Sequence, residues 1–572
     1  MLKQTFSGLA LLAALAGCSP YSAPLSSTPP LAVEQARQGA VSSADPRATA
    51  AGEAILAKGG SATDAAIAVM LALTVVEPQS SGIGGGGFLV HAGEDGLVTF
   101  DGREKAPAAA TPGRFLDETG GYLGRDSRVT SGLSVGVPGN IALAAKAHAR
   151  YGKLAWAELF RPAISLARDG FTMNRRLNGS LAENDGRANK TTAARAIFYG
   201  ADGKPLPVGA TVKVPDLADT LERIAAGGPK AFYQDQAQAL AAYVAGETPQ
   251  DGKMAASDVS GYDARLRDPV CARYRVYRVC GMGPPSSGGV AVAQMLGQLE
   301  RFDLAGLGPD SPAFWHLFLE SQRLAYADRE LYIGDSDFVG VPVAGLVDPD
   351  YIAARSALID PARALESVEA GTPPGASLAR ADGNEPPEHG TTHFSVVDSE
   401  GSAVSYTSTV EGAFGSGLHF GGFYLNNELT DFSLDPEVDG KPVANRVEGG
   451  KRPRSSMAPT IVFDERGEIV LVIGAAGGPT IPVQVARSII GVLDFGMTAE
   501  QAIGLPLLMA AGSNIITEKG GKVEAMAAQI EAFGHGPIRS YPAGGKANAL
   551  RRTGDGWESA GDPRVADMLG YE

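Results

Sequence analysis

Apolar residues are spaced unevenly along the chain, and the changes of spacing mark its elements. Residues 61–76 are almost wholly apolar behind Ser61 or Thr63. That pattern predicts a capped helix buried on every side. The glycine run 82–87 then leads into an alternating strand over 88–92. Further helices are predicted over 139–151, 154–168, 215–226, 290–302 and 312–328, where apolar residues recur three and four apart. Residues 371–389 turn polar and rich in Pro and Gly, as an exposed linker does.

Beyond the linker the period shortens to two. Residues 391–397 and 403–409 read as strands, and Asp398-Ser-Glu-Gly-Ser402 reads as the turn between them. A five-residue loop pairs Val397 with Ala403, and stepping back sets Thr391 opposite Thr409. Another hairpin is expected over 460–473 around Asp464-Glu-Arg-Gly467, followed by helices over 481–495 and 497–511. Strands bracketed by helices on both sides predict sheets covered by helical layers.

Composition narrows the class. The 572 residues, 44% hydrophobic and 20% charged, suffice for a large folded unit. A net charge of −15 with no Lys/Arg stripe excludes nucleic acid as a partner, because phosphate binding needs a basic surface. At the N-terminus Lys3, an apolar run from Phe6 to Ala16 and Leu15-Ala-Gly-Cys18 resemble a bacterial lipobox. Residues 1–17 are therefore expected to be a signal peptide, Cys18 a lipidation site, and 18–38 a tether. The expected location is the periplasm, with membrane contact only through the lipid. Cys271 and Cys280 flank a hairpin with a two-residue turn at Arg275-Val276, which sets them opposite one another. A disulfide and two free thiols both remain open.

Two motifs point to chemistry that their setting rejects. Gly82-Ile-Gly-Gly-Gly-Gly87 has helix before it and strand after it, the reverse of a dinucleotide site. Gly132-Leu-Ser-Val-Gly136 lacks the buried strand that should precede a nucleophile elbow. His389 and His393 flank a strand start and show no metal-ligand spacing, so neither metal nor cofactor is expected.

The informative stretch is Gly390-Thr-Thr-His-Phe-Ser-Val-Val-Asp398. A threonine hydroxyl is a weak nucleophile unless a base adjoins it, and its own α-amine serves once the threonine becomes N-terminal. Cleavage between Gly390 and Thr391 at the end of a polar linker would create that state.

Around it, in order, stand Gly59-Gly-Ser-Ala-Thr-Asp-Ala-Ala66, Glu77-Pro-Gln-Ser-Ser81, Asp101-Gly-Arg-Glu104, Gly136-Val-Pro-Gly139, Pro284-Pro-Ser-Ser-Gly-Gly289, Leu425-Asn-Asn-Glu-Leu-Thr-Asp-Phe432, Lys451-Arg-Pro-Arg-Ser-Ser-Met457 and Gly477-Gly478. Together these motifs resemble the γ-glutamyltransferase family over nearly the whole chain. The resemblance implies a four-layer αββα sandwich of the N-terminal nucleophile hydrolase type. It implies a large subunit, 39–390, and a small subunit, 391–572, held as a heterodimer within one domain. Thr391 is implied as nucleophile with Thr409 orienting it. Arg103, Ser455 and Ser456 hold a substrate carboxylate, Glu428 and Asp431 hold its ammonium, and the Gly477 and Gly478 N–H groups form the oxyanion hole.

The implied reaction takes glutathione or another γ-glutamyl amide and passes the acyl group to water, an amino acid or a peptide amine. Two departures stand out. Glu411 replaces an asparagine that contacts the amino group, which either strengthens the grip on an ammonium or admits a different acyl group. The segment between Phe432 and Lys451 is short and lacks aromatic residues, so a tyrosine-bearing lid has no counterpart and a more open acyl site is expected. Related glutaryl or cephalosporin acylases, and a binding lipoprotein without catalysis, are the alternatives.

Overall fold

The structure, a computed structural model, describes residues 39–377, 381, 390–511, 514–542 and 544–570. The stretches expected to be signal peptide and tether, with Cys18, and most of the linker, His389 included, lie outside the described residues.

Twelve strands build two antiparallel sheets. They are β1 (Ala40–Ser43), β2 (Gly86–Gly93), β3 (Gly96–Asp101), β4 (Arg265–Arg267), β5 (Val270–Tyr274), β6 (Tyr277–Gly281), β7 (Thr392–Val397), β8 (Ala403–Thr409), β9 (Thr460–Phe463), β10 (Ile469–Ala476), β11 (Lys546–Thr553) and β12 (Gly556–Gly561). One sheet runs β1-β7-β8-β2-β3-β4 and the other β12-β11-β10-β9-β6-β5. Strands from both sides of residue 390 contribute to each sheet.

The faces follow from the side-chain period of two. Val90 and Ala92 of β2 join Val397, Ala403, Ile461, Val472 and Leu550 in the apolar layer between the sheets, while Leu89 turns to the helices. Helices α1 (Pro46–Ala57), α2 (Ala62–Val76), α3 (Asn140–Tyr151) and α4 (Trp156–Asp169) cover the first sheet, and α5 (Gly288–Leu299), α6 (Pro312–Tyr332) and α7 (Ile481–Leu493) cover the second. The result is the αββα sandwich. All fifteen residues of α2 are buried, and Ser61 and Asp64 close its start with a reciprocal capping box. Asp398 accepts from the Ala62 N–H at 2.9 Å, tying this helix to the β7–β8 turn.

The β7–β8 register is the expected one, Val397 opposite Ala403 and Thr392 opposite Ser408. The hairpin around Arg275-Val276 also forms, and Cys271 and Cys280 are bonded across it. Because they sit nine residues apart, loss of this loop constraint on the unfolded chain should cost about 2–3 kcal/mol. Cys271→Ser/Cys280→Ser is expected to lower the urea midpoint without changing the slope of the transition.

Three expectations need correction. The helix over 497–511 stops at Ile503 and gives way to a strand, Leu508–Ala511, because Gly504 and Pro506 interrupt it. The edge strand β1 and the β11–β12 hairpin were not anticipated. In the latter, the polar residues Lys546, Asn548, Arg551 and Arg552 mask a strand whose first five residues are all buried.

Candidate active site

Thr391 lies just before β7, buried, with its hydroxyl donating to the Thr409 hydroxyl at 3.0 Å. Thr409 in turn accepts from the Glu411 N–H at 2.8 Å. The Thr391 N–H donates to the Ser80 carbonyl at 3.1 Å. Thr391 holds φ +119°, a conformation that a β-branched residue rarely adopts. A Cβ on the preceding Gly390 would lie 2.0 Å from the Glu411 carbonyl oxygen, so only glycine fits before the threonine.

The two sheets fix where the Gly477-Gly478 pair lies. Ser395 donates to the Val472 carbonyl at 3.2 Å, and His393 fills the space above Gly474, where a Cβ would meet its Nδ1 at 2.3 Å. Continuing two residues carries one strand to Thr391 and the other to Ala476, directly before Gly477. Gly477 and Gly478 have φ +124° and +56°, which suits glycine, and their N–H groups donate to no other described backbone group. Between the sheets His393 is held neutral, its pKa lowered by burial to about 3. No metal-binding cluster occurs among the described residues.

A second group of site residues converges on Arg103. Its fully buried guanidinium is ion-paired to both Glu428 and Asp431. It also donates to the Pro453 carbonyl at 3.2 Å and the Arg454 carbonyl at 2.7 Å. Those carbonyls immediately precede Ser455 and Ser456. Ser455 Oγ accepts from the Met457 N–H at 3.2 Å, and Ser456 Oγ accepts from Arg329 at 2.8 Å. The cation expected to hold a substrate carboxylate and the two acids expected to hold its ammonium thus pair with one another.

Acid residues outnumber cations here. Burial pushes Glu411 up to about 8, with Asp431 adding repulsion, and pushes Glu428 well above the usual carboxylate range. Glu104, adjacent to Arg103 in sequence, is also buried and is raised to about 7. Both of its carboxyl oxygens lack a hydrogen-bond donor. Glu411 receives the Asn427 side-chain amide, whose oxygen in turn accepts from the Gly412 N–H at 2.9 Å. Glu104 and Asn427 were missed as site residues although both lie in motifs already singled out.

Glu411 keeps its proton in the folded chain to about pH 8 but has an ordinary value of 4.5. The raised value makes folding less favourable as pH climbs through that interval. Glu411→Gln has no proton to lose and should gain in Tm on the parent between about pH 5 and pH 8. Thermal scans across pH check this; a constant offset would contradict it.

Behind the Thr391 N–H lies a network that the sequence did not signal. Lys546 Nζ donates to Glu77 at 2.9 Å and to the Ser80 hydroxyl at 3.2 Å, and Arg176 pairs with the same Glu77. Although burial opposes it, the two cations hold Glu77 down to about 2. Burial, with Arg176, lowers Lys546 to about 7.

The rejected motifs are structural. Residues 82–85 lie in the connection between α2 and β2 and Gly86 and Gly87 begin β2, and Ser134 spends its hydroxyl on the Val129 and Ser131 carbonyls at 2.8 and 2.9 Å. Residues 433–450 form only a small hairpin, Glu437–Val438 with Lys441–Pro442. A cavity of about 930 Å³ reaches Glu411, Asn427, Thr430 and Leu434.

Two helix-covered antiparallel sheets, with a buried threonine at the head of a central strand, define an enzyme fold of the N-terminal nucleophile hydrolase type. The family described as Gamma-glutamyltranspeptidase matches residues 48–569, and the chain belongs to that family. It is 37% identical over 516 residues to the glutathione hydrolase proenzyme of Bacillus subtilis (strain 168), spanning 88% of this chain and 86% of that one. Against the glutathione hydrolase proenzyme of Escherichia coli (strain K12) it is 38% identical over 525 residues, 88% of each chain. Its fold superposes on the cephalosporin acylase from Bacillus halodurans with a TM-score of 0.81 at 26% identity, covering 96% of this chain and 98% of that one.

Proposed function

We propose that the chain cuts itself between Gly390 and Thr391 and then transfers γ-glutamyl groups from glutathione and related amides to water or to an amino acid or peptide amine. The observation that carries this reading is Arg103 held between Glu428 and Asp431. One buried cation beside two acidic side chains, Asp431 and a Glu428 whose proton affinity burial raises, complements the carboxylate and ammonium of an amino-acid head group.

In self-cleavage the Thr391 hydroxyl oxygen attacks the Gly390 carbonyl carbon. The peptide C–N bond breaks as the Gly390–Oγ ester forms, and the hydroxyl proton moves to the freed amine. Water then hydrolyses the ester, leaving a carboxylate on Gly390 and an amine on Thr391. The strained φ of Thr391 favours this step, since a conformation of that kind costs of order 1–3 kcal/mol and disappears when residue 390 is detached.

In turnover the freed amine takes the Thr391 hydroxyl proton as Oγ attacks the γ-carbonyl, then delivers it to the leaving amine. The Gly477 and Gly478 N–H groups donate to the oxyanion in this reading, and Thr409 orients the nucleophile. Water or an acceptor amine attacks the resulting ester and regenerates Thr391. Ser455 and Ser456 serve the substrate carboxylate together with Arg103.

Glu411 favours a second reading, a glutaryl- or cephalosporin-type acylase. A carboxyl that keeps its proton to about pH 8 makes a weaker ammonium site than a carboxylate would. Hydrolysis of γ-glutamyl and glutaryl anilides compares the two, and preference for the glutaryl compound overturns the first. A non-catalytic binding role would appear as ligand binding without processing or turnover. Export behind a cleaved signal peptide and lipidation at Cys18 complete the proposal and place the heterodimer in the periplasm. Intact-mass analysis of the purified protein should find a 182-residue fragment beginning at Thr391, about 19 kDa by its share of 58.9 kDa; an active, uncut chain refutes the nucleophile.

A further inference from the structure

Glu411 separates two spaces. On one side stand Asp431 and the Arg103 cluster; on the other is the cavity of about 930 Å³, whose lining includes Arg187 and Lys190. Both cations are half-buried. Arg187 packs on Gly412, where an added Cβ would meet its Nη1 at 2.6 Å, and donates to the Ala413 carbonyl at 3.4 Å. Lys190 donates to the Thr130 carbonyl. Neither forms an ion pair among the described residues. The nearby acids Asp126, Glu183, Asp185 and Glu247 are exposed, and the buried acid that acts on Arg187 is Glu411.

Withdrawing a guanidinium and an ammonium from water without a counter-ion is costly, and an incoming carboxylate offsets that cost. Burial lowers the proton affinity of both groups, and the opposing pull of Glu411 and Asp126 on Arg187 and of Glu247 and Asp126 on Lys190 does not offset it.

The direction of approach follows from the acyl-site reading above, on which this inference rests. The α-nitrogen of the bound acyl unit faces Glu428, Asp431 and Glu411, so a substituent on that nitrogen projects past Glu411 into the cavity. We propose that Arg187 and Lys190 form a subsite for a carboxylate carried on the α-nitrogen side of the donor, and that the protein cleaves the γ-amide of N-acylated glutamyl donors whose acyl group ends in a carboxylate. Glu411 in its protonated form accommodates an amide N–H where an ammonium otherwise sits. The chemistry is unchanged: the γ-carbonyl forms an ester with Thr391 Oγ, the amine leaves with the hydroxyl proton, and water hydrolyses the ester.

The test uses the processed full-length protein and three 4-nitroanilides: γ-glutamyl, Nα-acetyl-γ-glutamyl and Nα-succinyl-γ-glutamyl. Release of 4-nitroaniline reports cleavage of the γ-amide alone. The succinyl compound should exceed the acetyl compound in kcat/KM by about tenfold or more, the worth of one charge-assisted contact. That ratio should fall to within about twofold of unity in Arg187→Gln/Lys190→Gln, and part of the way in Lys190→Gln alone. A wild-type ratio near or below unity, or a ratio untouched by the substitutions, overturns the subsite. So does turnover of the plain anilide with neither substituted compound cleaved. Failure to cleave any of the three overturns the acyl-site reading, and this inference with it.

Discussion

Thr391→Ala should accumulate as one uncut chain and lose about 10⁵- to 10⁶-fold in turnover, the scale seen when a covalent nucleophile is removed. Both effects share one origin under the proposed mechanism, in which the same hydroxyl attacks Gly390 during maturation and the γ-carbonyl afterwards. Thr391→Ser keeps the oxygen but loses the methyl group that restricts χ1, and should mature more slowly yet still turn over. Gel analysis over time and single-turnover acylation separate the two variants. An alanine variant that is still cut after Gly390 would place the attack elsewhere, and the hydrogen bond of 3.0 Å to Thr409 would then be merely structural.

Arg103→Met should have the second largest effect. The guanidinium is the cation common to Glu428 and Asp431, with Glu104 adjacent and lacking a donor. Removing one partner from a buried ionic cluster costs about 3–5 kcal/mol. The stranded Glu428 and Glu104, already raised by burial and each held down in part by Arg103, would hold their protons to still higher pH. Folding would therefore become less favourable as pH rises, and the Tm deficit should be greater at pH 8 than at pH 5. Arg103→Lys keeps the charge without the planar fork, so it should fold but lose roughly 2–3 kcal/mol of transition-state binding, about 30- to 150-fold in kcat/KM. A lysine variant with parental kcat/KM would remove Arg103 from the substrate site.

Much of this was readable in the chain because local pattern and local structure agree there. The period-two runs on either side of Asp398–Ser402 determine the β7–β8 register, and hence the meeting of Thr391 with Thr409. The apolar stretch after Ser61 reads as a fully buried helix because nothing polar interrupts it. What escaped depends on contacts between distant segments. Lys546 reaches Glu77 across 469 positions of sequence, and no spacing rule encodes that. The charge state of Glu411 depends on burial and on Asp431, which periodicity does not report. Arg187 sits in a polar stretch with no motif, and only the fold shows that its guanidinium is half-buried without an ion pair. The Cys271–Cys280 bond was left open because a hairpin register allows it without requiring it.

The strand order has a consequence for assembly. In the first sheet β7 and β8 are inserted between β1 and β2, and in the second β9, β10, β11 and β12 extend β5 and β6. Neither segment alone owns a complete hydrophobic interior, so the polypeptide must reach its final architecture as a single piece before any scission after Gly390. Such scission would leave two fragments in strict one-to-one stoichiometry, clasped by shared ladders rather than by a docking face. Exchange between molecules would then require global unfolding, and mixing isotopically labelled with unlabelled protein should yield no hybrids on the timescale of native incubation.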